Sequence, residues 1–354
     1  MGSVYLAEHP VLKHNVAIKI LANGGKSFFD RSRRILEKLS HPGFVKVFSY
    51  GEHEGHPYLV YEYLQGAFQL RAWLNRPETR GHWDLLQIMV QMANAIAYAH
   101  GQGIVIGYIE PNNHILVMSN GAPVLLDAGL FQHAQQNHFE EMEAYPSRYL
   151  APECVKGEPA TKETDIWNLG VLMHEHVAEK PLFDGDSGEE IRQAIQSPDP
   201  VDLSALKDVA PDYIVHIVKK CLRKAPQERF SSVADLRDAL EEALFADLVR
   251  LKDYDTERLL RDVEPEALAA ALTGATEQIT AHMLGHVPDK VSKQIQRLIT
   301  VNAAAAEAAH AARREIVSTA TRLLQELRID FQSSKYFLRT LYRLGVVETF
   351  DGTL

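Results

Sequence analysis

Between Ile104 and Gly129 the sequence IVIGYIEPNNHILVMSNGAPVLLDAG brings together Tyr108, Glu110, Asn113, His114 and Asp127. Carboxylate and amide oxygens are ligands for hard cations such as magnesium. A base that takes a proton at neutral pH must be a group such as carboxylate or imidazole. Tyr108 cannot do this, because a phenol with a pKa near ~10 is neutral at pH 7. Upstream, Lys19 supplies an ammonium from the run VAIKI.

The elements that position these groups are legible from periodicity. Val16 to Ile20 alternates and is β-branched, as a strand should be. Val45 to Tyr50 and Tyr58 to Tyr63 read as paired strands joined through Gly51 to Pro57, and Phe28 to Leu39 reads as a helix. Leu86, Met89, Met92, Ala93 and Ile96 recur at helical spacing, so Trp83 to His100 is predicted to be a helix that leads into the reactive stretch. Two more amphipathic helices are expected over Ala210 to Leu222 and Ser231 to Leu244. From Phe245 onward the chain turns alanine-rich, with almost no strand signal until Gly345. The run Ala303 to Ala312 forms helix in almost any context, and the tail from Phe331 to Leu354 is expected to fold back on the bundle or dock on a partner.

The chain of 354 residues, with 46% hydrophobic content, is long enough for two or three domains. A net charge of -10 argues against a broad nucleic-acid or anionic-membrane footprint. Cys154 and Cys221 are far apart and have no C-x-x-C partner, which suggests neither a disulfide framework nor a zinc site. No apolar run approaches the ~20 residues a membrane-spanning helix needs, so neither membrane insertion nor nucleic-acid binding is expected, and a cytoplasmic location is. His174 and His176 are read as helix surface rather than metal ligands.

The order of motifs resembles the bacterial Ser/Thr protein kinases. MGSVYLA looks like the second half of a Gly-rich phosphate loop, VAIKI like the phosphate-lysine strand, YLVYEYL like the strand entering the inter-lobe hinge with Tyr61 as gatekeeper, and YLAPE and TDIWNLG like the A-P-E and D-x-W-x-x-G segments. The resemblance implies an α+β, two-lobed kinase-like fold over 1–244 (lobes 1–62 and 65–244), followed by an all-α domain over 245–326 and a helical tail over 327–354. The chain begins inside the Gly-rich motif, so the first lobe is expected either to be truncated there or to start upstream. The family places Gly2, Val4, Ala17, Lys19, Glu62, Leu64, Leu116 and Asp127 around ATP, with magnesium on Asp127 and on Asn113 or His114. Counting from Pro111 selects Asn113, and counting back from Asp127 selects His114. Arg229 falls where the family pairs an arginine with Glu153.

Three family positions carry the wrong chemistry. Tyr108 stands for the catalytic aspartate, Glu110 for the loop lysine, and Ser32 for the helix glutamate that pairs with Lys19. Glu110 would place negative charge where a transferring phosphoryl group needs positive. Gly107 replaces the arginine that reads a phosphorylated activation loop. The expectation is a pseudokinase, with no catalytic residues and a retained ATP and magnesium frame, acting as a nucleotide-sensing scaffold or adaptor. The rival is an active Ser/Thr kinase with a non-standard catalytic loop.

A second resemblance, over 245–326, is to the carboxy-terminal domain of the flagellar rotor protein FliG. It is carried by FADLVRLKDYDTERLLRDVEPEALAAALTGATEQITAHMLGHVPDK and ARREIVSTATRLLQE. The family's A-L-K-G-A appears as Ala271 to Ala275, with Gly274 at a sharp turn. The charged stator-contacting residues fall on Thr273, Lys290, Arg297 and Leu298, so only one sign of charge survives. The helical region 245–354 is therefore expected to bind a protein partner, without carrying over the flagellar stator contact.

Overall fold

The computed structural model describes residues 3–8, 13–20, 35, 38–76, 79, 81–111, 114–126, 128, 147–301 and 306–326. The expectations for Gly2, Ser32, Asn113 and Asp127, for most of the helix over Phe28 to Leu39, and for the tail over 327–354 lie outside them. The chain divides into two compact units, one of residues 1–75 and 88–237 and the other of 76–87 and 238–354.

The first unit opens with an antiparallel sheet in the order β1-β2-β4-β3, formed by β1 (Ser3–Glu8), β2 (Asn15–Ile20), β3 (Val47–His53) and β4 (His56–Glu62). The β3–β4 connection is tighter than the sequence predicts. Glu54 and Gly55 both take positive φ, 50° and 80°, so the strands run on through Gly51 and Pro57 to a two-residue turn whose twist matches theirs. A second sheet, β5 (Phe68–Gln69), β6 (Ile115–Val117) and β7 (Pro123–Leu125), holds the reactive stretch between β6 and the helix before it. Around these lie α1 (Leu70–Leu74), α2 (His82–Gly101), α3 (Pro152–Val155), α4 (Lys162–Ala178), α5 (Gly188–Gln196), α6 (Asp212–Cys221) and α7 (Val233–Asp247). The last fourteen residues of α2 and the first five of α7 belong to this unit.

Helix α4 is the axis of that unit, and it is buried from Thr164 through His174. Gly170 is required by close approach: a Cβ there would lie 2.6 Å from that of Cys221, so α4 and α6 touch at van der Waals distance only because the side chain is a hydrogen. His174 corrects the surface reading. It is 1% exposed, because the helix that carries it is covered on nearly every face. Both cysteines are free, and both are buried.

The second unit is helical among its described residues: the start of α2, the remainder of α7, then α8 (Asp253–Arg261), α9 (Pro265–Leu272), α10 (Glu277–Gly285), α11 (Asp289–Val301) and α12 (Ala306–Gln325). Leu268, Ala271, Leu272, Ile295, Ile316, Ala320 and Leu323 are buried in its core. Gly274, at φ +71°, turns the chain between α9 and α10. Arg313 on α12 donates to the carbonyls of Ala271 (2.8 Å) and Thr273 (2.7 Å), satisfying acceptors that the end of α9 leaves without helical partners. Gln87 at the start of α2 donates to the Thr321 hydroxyl at 3.0 Å. Among the described residues no helix is long and apolar enough to cross a membrane.

Candidate functional site

The catalytic-loop region is held by α4 from below. Asp165, fully buried, accepts hydrogen bonds from the backbone amides of Ile106 (3.0 Å) and Gly107 (2.6 Å) and lies 2.7 Å from Nε2 of His100. Because a carboxylate only accepts, the His100 proton sits on Nε2. Gly107 has φ +81°, a conformation a side chain disfavours, so the segment from the end of α2 to Tyr108 is pinned at both backbone and side chain. His100 is the functional-site residue the sequence reading missed. Its only local signal is a histidine closing the helix that leads into the loop.

Tyr108 is 3% exposed, and its ring packs edge-on against His114 (centroids 5.5 Å apart) and Tyr149 (6.3 Å). Such an aromatic cluster stabilises a ring, not an anion. Tyr149 donates to Glu175 Oε2 at 3.1 Å, and burial, followed by the Glu175 charge, raises its phenol above the ordinary range. Glu110 is buried too. Its backbone amide donates to Nδ1 of His114 at 3.2 Å, and His114 N–H returns a bond to the Glu110 carbonyl at 3.0 Å. His114 therefore uses its Nδ1 lone pair inside the loop, and the hard-cation donor expected from Asn113 or His114 is not that nitrogen.

On the strand side, Val4 pairs with Lys19 across β1 and β2, and Lys19 with Leu59 across β2 and β4. Directly opposed residues share a face, as do residues two apart on a strand. Val4, Ala17, Lys19, Leu59 and Tyr61 thus lie on one face. Lys19 is buried, Ala17 half-buried and Val4 exposed. Ala17 and Leu64 pack on a buried cluster of Val45, Leu59, Tyr61 and Val124, together with Met118 and Leu126. Leu116, half-buried, lies opposite Val124 in the β6–β7 register and so faces the same way. Glu62 is exposed, and its amide donates to the Lys46 carbonyl at 2.9 Å, which removes that N–H from any hinge ligand. Ala17 and Leu64 thus meet at one buried cluster, Lys19 lies on the same face of the sheet as Ala17, and Leu116 lies opposite Val124 of that cluster.

The anchor expected between Glu153 and Arg229 is present. The guanidinium donates to both carboxylate oxygens at 2.8 Å, is 3% exposed and stacks 5.1 Å over Trp167. Burial alone would raise the Glu153 carboxyl, but hydrogen bonds and charge from Arg229, with the Thr164 hydroxyl at 2.7 Å, hold it below the usual range.

Residues 1–245 match the protein kinase domain family model, and residues 232–331 match that of the FliG C-terminal domain. Among curated proteins the chain is 28% identical over 322 residues to the serine/threonine-protein kinase Pkn1 of Myxococcus xanthus, covering 84% of this chain and 45% of that protein. It is likewise 28% identical over 294 residues to PrkC of Bacillus subtilis, covering 79% of this chain and 45% of the relative. The chain thus spans about half the length of the curated relatives it matches. Among solved structures, the kinase domain of Mycobacterium tuberculosis PknI superposes with a TM-score of 0.53 at 25% identity, over 68% of this chain and 91% of that one.

Proposed function

The chain belongs to the protein kinase family, and from that premise we propose that it is a pseudokinase: a cytoplasmic nucleotide-sensing scaffold in which the phosphotransfer machinery is lost and the nucleotide frame kept. The observation that carries this reading is Tyr108, a buried neutral phenol inside an aromatic cluster at the position where the family has its aspartate base. Glu110 beside it sets a carboxylate where a phosphoryl-transfer site needs a cation.

The nucleotide half is supported by Ala17 and Leu64 on the Val124 cluster, Leu116 opposite Val124, and Lys19 on the same sheet face as Ala17. In this reading Lys19 meets phosphate oxygens and Asp127 holds magnesium, while Gly2, Val4 and the hinge around Glu62 close over the base. Bound ATP and magnesium would supply charge to order the two lobes, and the residues of the chain hold and orient them without moving a proton. The domain limits proposed are 1–244, 245–326 and 327–354. The scaffold half is supported by the FliG C-terminal match over residues 232–331, and in this reading 245–354 binds a protein partner.

Thermal denaturation with and without ATP and magnesium tests the frame, and radiolabelled phosphate transfer tests the chemistry. At a hundredfold excess over the dissociation constant, ATP should stabilise by about 2.7 kcal/mol, a rise of roughly 5 °C or more in Tm. Lys19→Met should abolish the rise, with no transfer above background in either protein. Transfer that disappears in Asp127→Ala would overturn the reading. It would favour the second one, an active Ser/Thr kinase with a non-standard loop, which the names of Pkn1, PrkC and PknB support.

A further inference from the structure

Within the second unit, α7 and α12 face one another with a set of groups that neither family resemblance uses. Asp238, Glu241 and Glu242 lie at helical spacing on α7, and His310, Arg313 and Arg314 on α12. Both nitrogens of His310 meet carboxylates: Nδ1 is 2.9 Å from Glu242 Oε1, and Nε2 is 2.8 Å from Glu241 Oε2 and 3.9 Å from Asp238 Oδ1. A neutral imidazole has one N–H and carboxylates have none. If Glu242 accepts from Nδ1, the Nε2 lone pair faces the oxygens of Glu241 and Asp238, a donor set suited to a cation.

We propose that Asp238, Glu241 and His310 form a binding site for a divalent transition metal of the zinc class, with Nε2 of His310 as one donor. Glu242 is the outer carboxylate: by accepting from Nδ1 it fixes the tautomer that leaves Nε2 free to ligate, the usual support for a metal-bound histidine. Arg313 pairs with Glu242, so a doubly charged ion is matched by the two donor carboxylates. Arg314 Nη1, 3.8 Å from Glu241 Oε2 and half exposed, is a charged group that must yield. The three donor atoms already lie within 4.8 Å of one another. Tetrahedral zinc with bonds of 2.0–2.2 Å separates its ligand atoms by about 3.3 Å. The observed 2.8 Å must open and the observed 3.9 Å close, each by about half an ångström, within reach of carboxylate rotation. The Asp238 side chain is 47% exposed, which leaves an entry path and room for a water as fourth ligand. One imidazole with two carboxylates favours zinc, cobalt or nickel over magnesium or calcium, which prefer oxygen alone.

The test uses the full chain, stripped with chelator and kept in excess magnesium so that hard-cation sites are filled, and titrated with zinc chloride by calorimetry and with cobalt chloride by visible absorption. One equivalent should bind at pH 7.5. His310→Gln and Asp238→Asn should each weaken binding tenfold or more. The double change His282→Gln/His286→Gln, at the other histidine pair of this unit, should leave it unchanged. Asp238→Asn decides alone if His310→Gln fails to fold, because it alters a half-exposed side chain and spares the Glu242 contact. No zinc uptake by the unaltered chain overturns the proposal. So does uptake indifferent to Asp238→Asn, or uptake that follows the 282/286 pair.

Discussion

Two regions of the first unit lie side by side and differ in what they retain. The anchors, Glu153 with Arg229 and Asp165 with His100 and two backbone amides, have buried hydrogen-bond partners at 2.6–3.0 Å. The neighbouring loop they hold, Ile106 to Glu110, has an apolar residue, a glycine, a phenol and a reversed charge where transfer chemistry would act. Breaking a buried pair by removing one partner leaves an uncompensated charge at a cost of ~3–5 kcal/mol, so an anchor cannot drift without unfolding the lobe. A catalytic base makes no such contribution, and its replacement by a buried tyrosine costs the fold little. Fold retention and phosphotransfer are therefore separable properties of adjacent residues.

The largest expected effect that bears on this contrast is at the anchor. Arg229→Leu should lower stability by about 3–5 kcal/mol in urea denaturation. A loss under 1 kcal/mol would show that the pair contributes no more than a surface bridge and break the contrast.

Next comes acidification. Burial, then the charge of Lys180, lowers the His174 pKa to about 4, and burial, then Arg250, lowers that of His82 to about 4. A folded-state pKa below the unfolded 6.5 means that the native state resists protonation. This part of the stability is complete above pH 6.5 and is lost as pH falls toward 4. Both His174 ring nitrogens are buried without a hydrogen-bond partner, so on the α4 that carries Asp165 the loss should approach ~3 kcal/mol. His174→Gln should flatten the denaturation profile between pH 6.5 and 4, and an unchanged profile would assign the acid sensitivity elsewhere.

A smaller change is expected for Asp165→Asn, which keeps one acceptor but weakens charge-assisted bonds to two amides and to His100. A loss of about 1–3 kcal/mol is expected, together with faster amide exchange at Ile106 and Gly107. The smallest is Tyr108→Phe, which should cost no more than ~1 kcal/mol and leave the ATP-induced Tm rise intact. If it removed that rise, the phenol would belong to the nucleotide frame, and the line between anchor and lost chemistry would need redrawing.

Much of this was readable in the chain. The Glu153–Arg229 pair, Gly170 in the central helix, the strand bearing Lys19 and the turn at Gly274 follow from local pattern and from motif order. The β3–β4 turn at Glu54 and Gly55 was missed, because a glutamate at positive φ carries no sequence signal. His174 was misread because an isolated histidine on a helix does not reveal which faces of that helix are covered.

The sequence by itself determined the kinase family frame and the second helical region, since these depend on residue identity and spacing. Only the tertiary structure decided that His100 and two amides 58 and 59 residues before Asp165 converge on it. It alone showed that Nδ1 of His114 is spent on Glu110, and that His310 meets three carboxylates from a helix about seventy residues away. The reason is physical. Hydrogen bonds and ion pairs between distant residues exist only after packing has excluded water and brought the partners to contact, and no local periodicity encodes which pairs will meet.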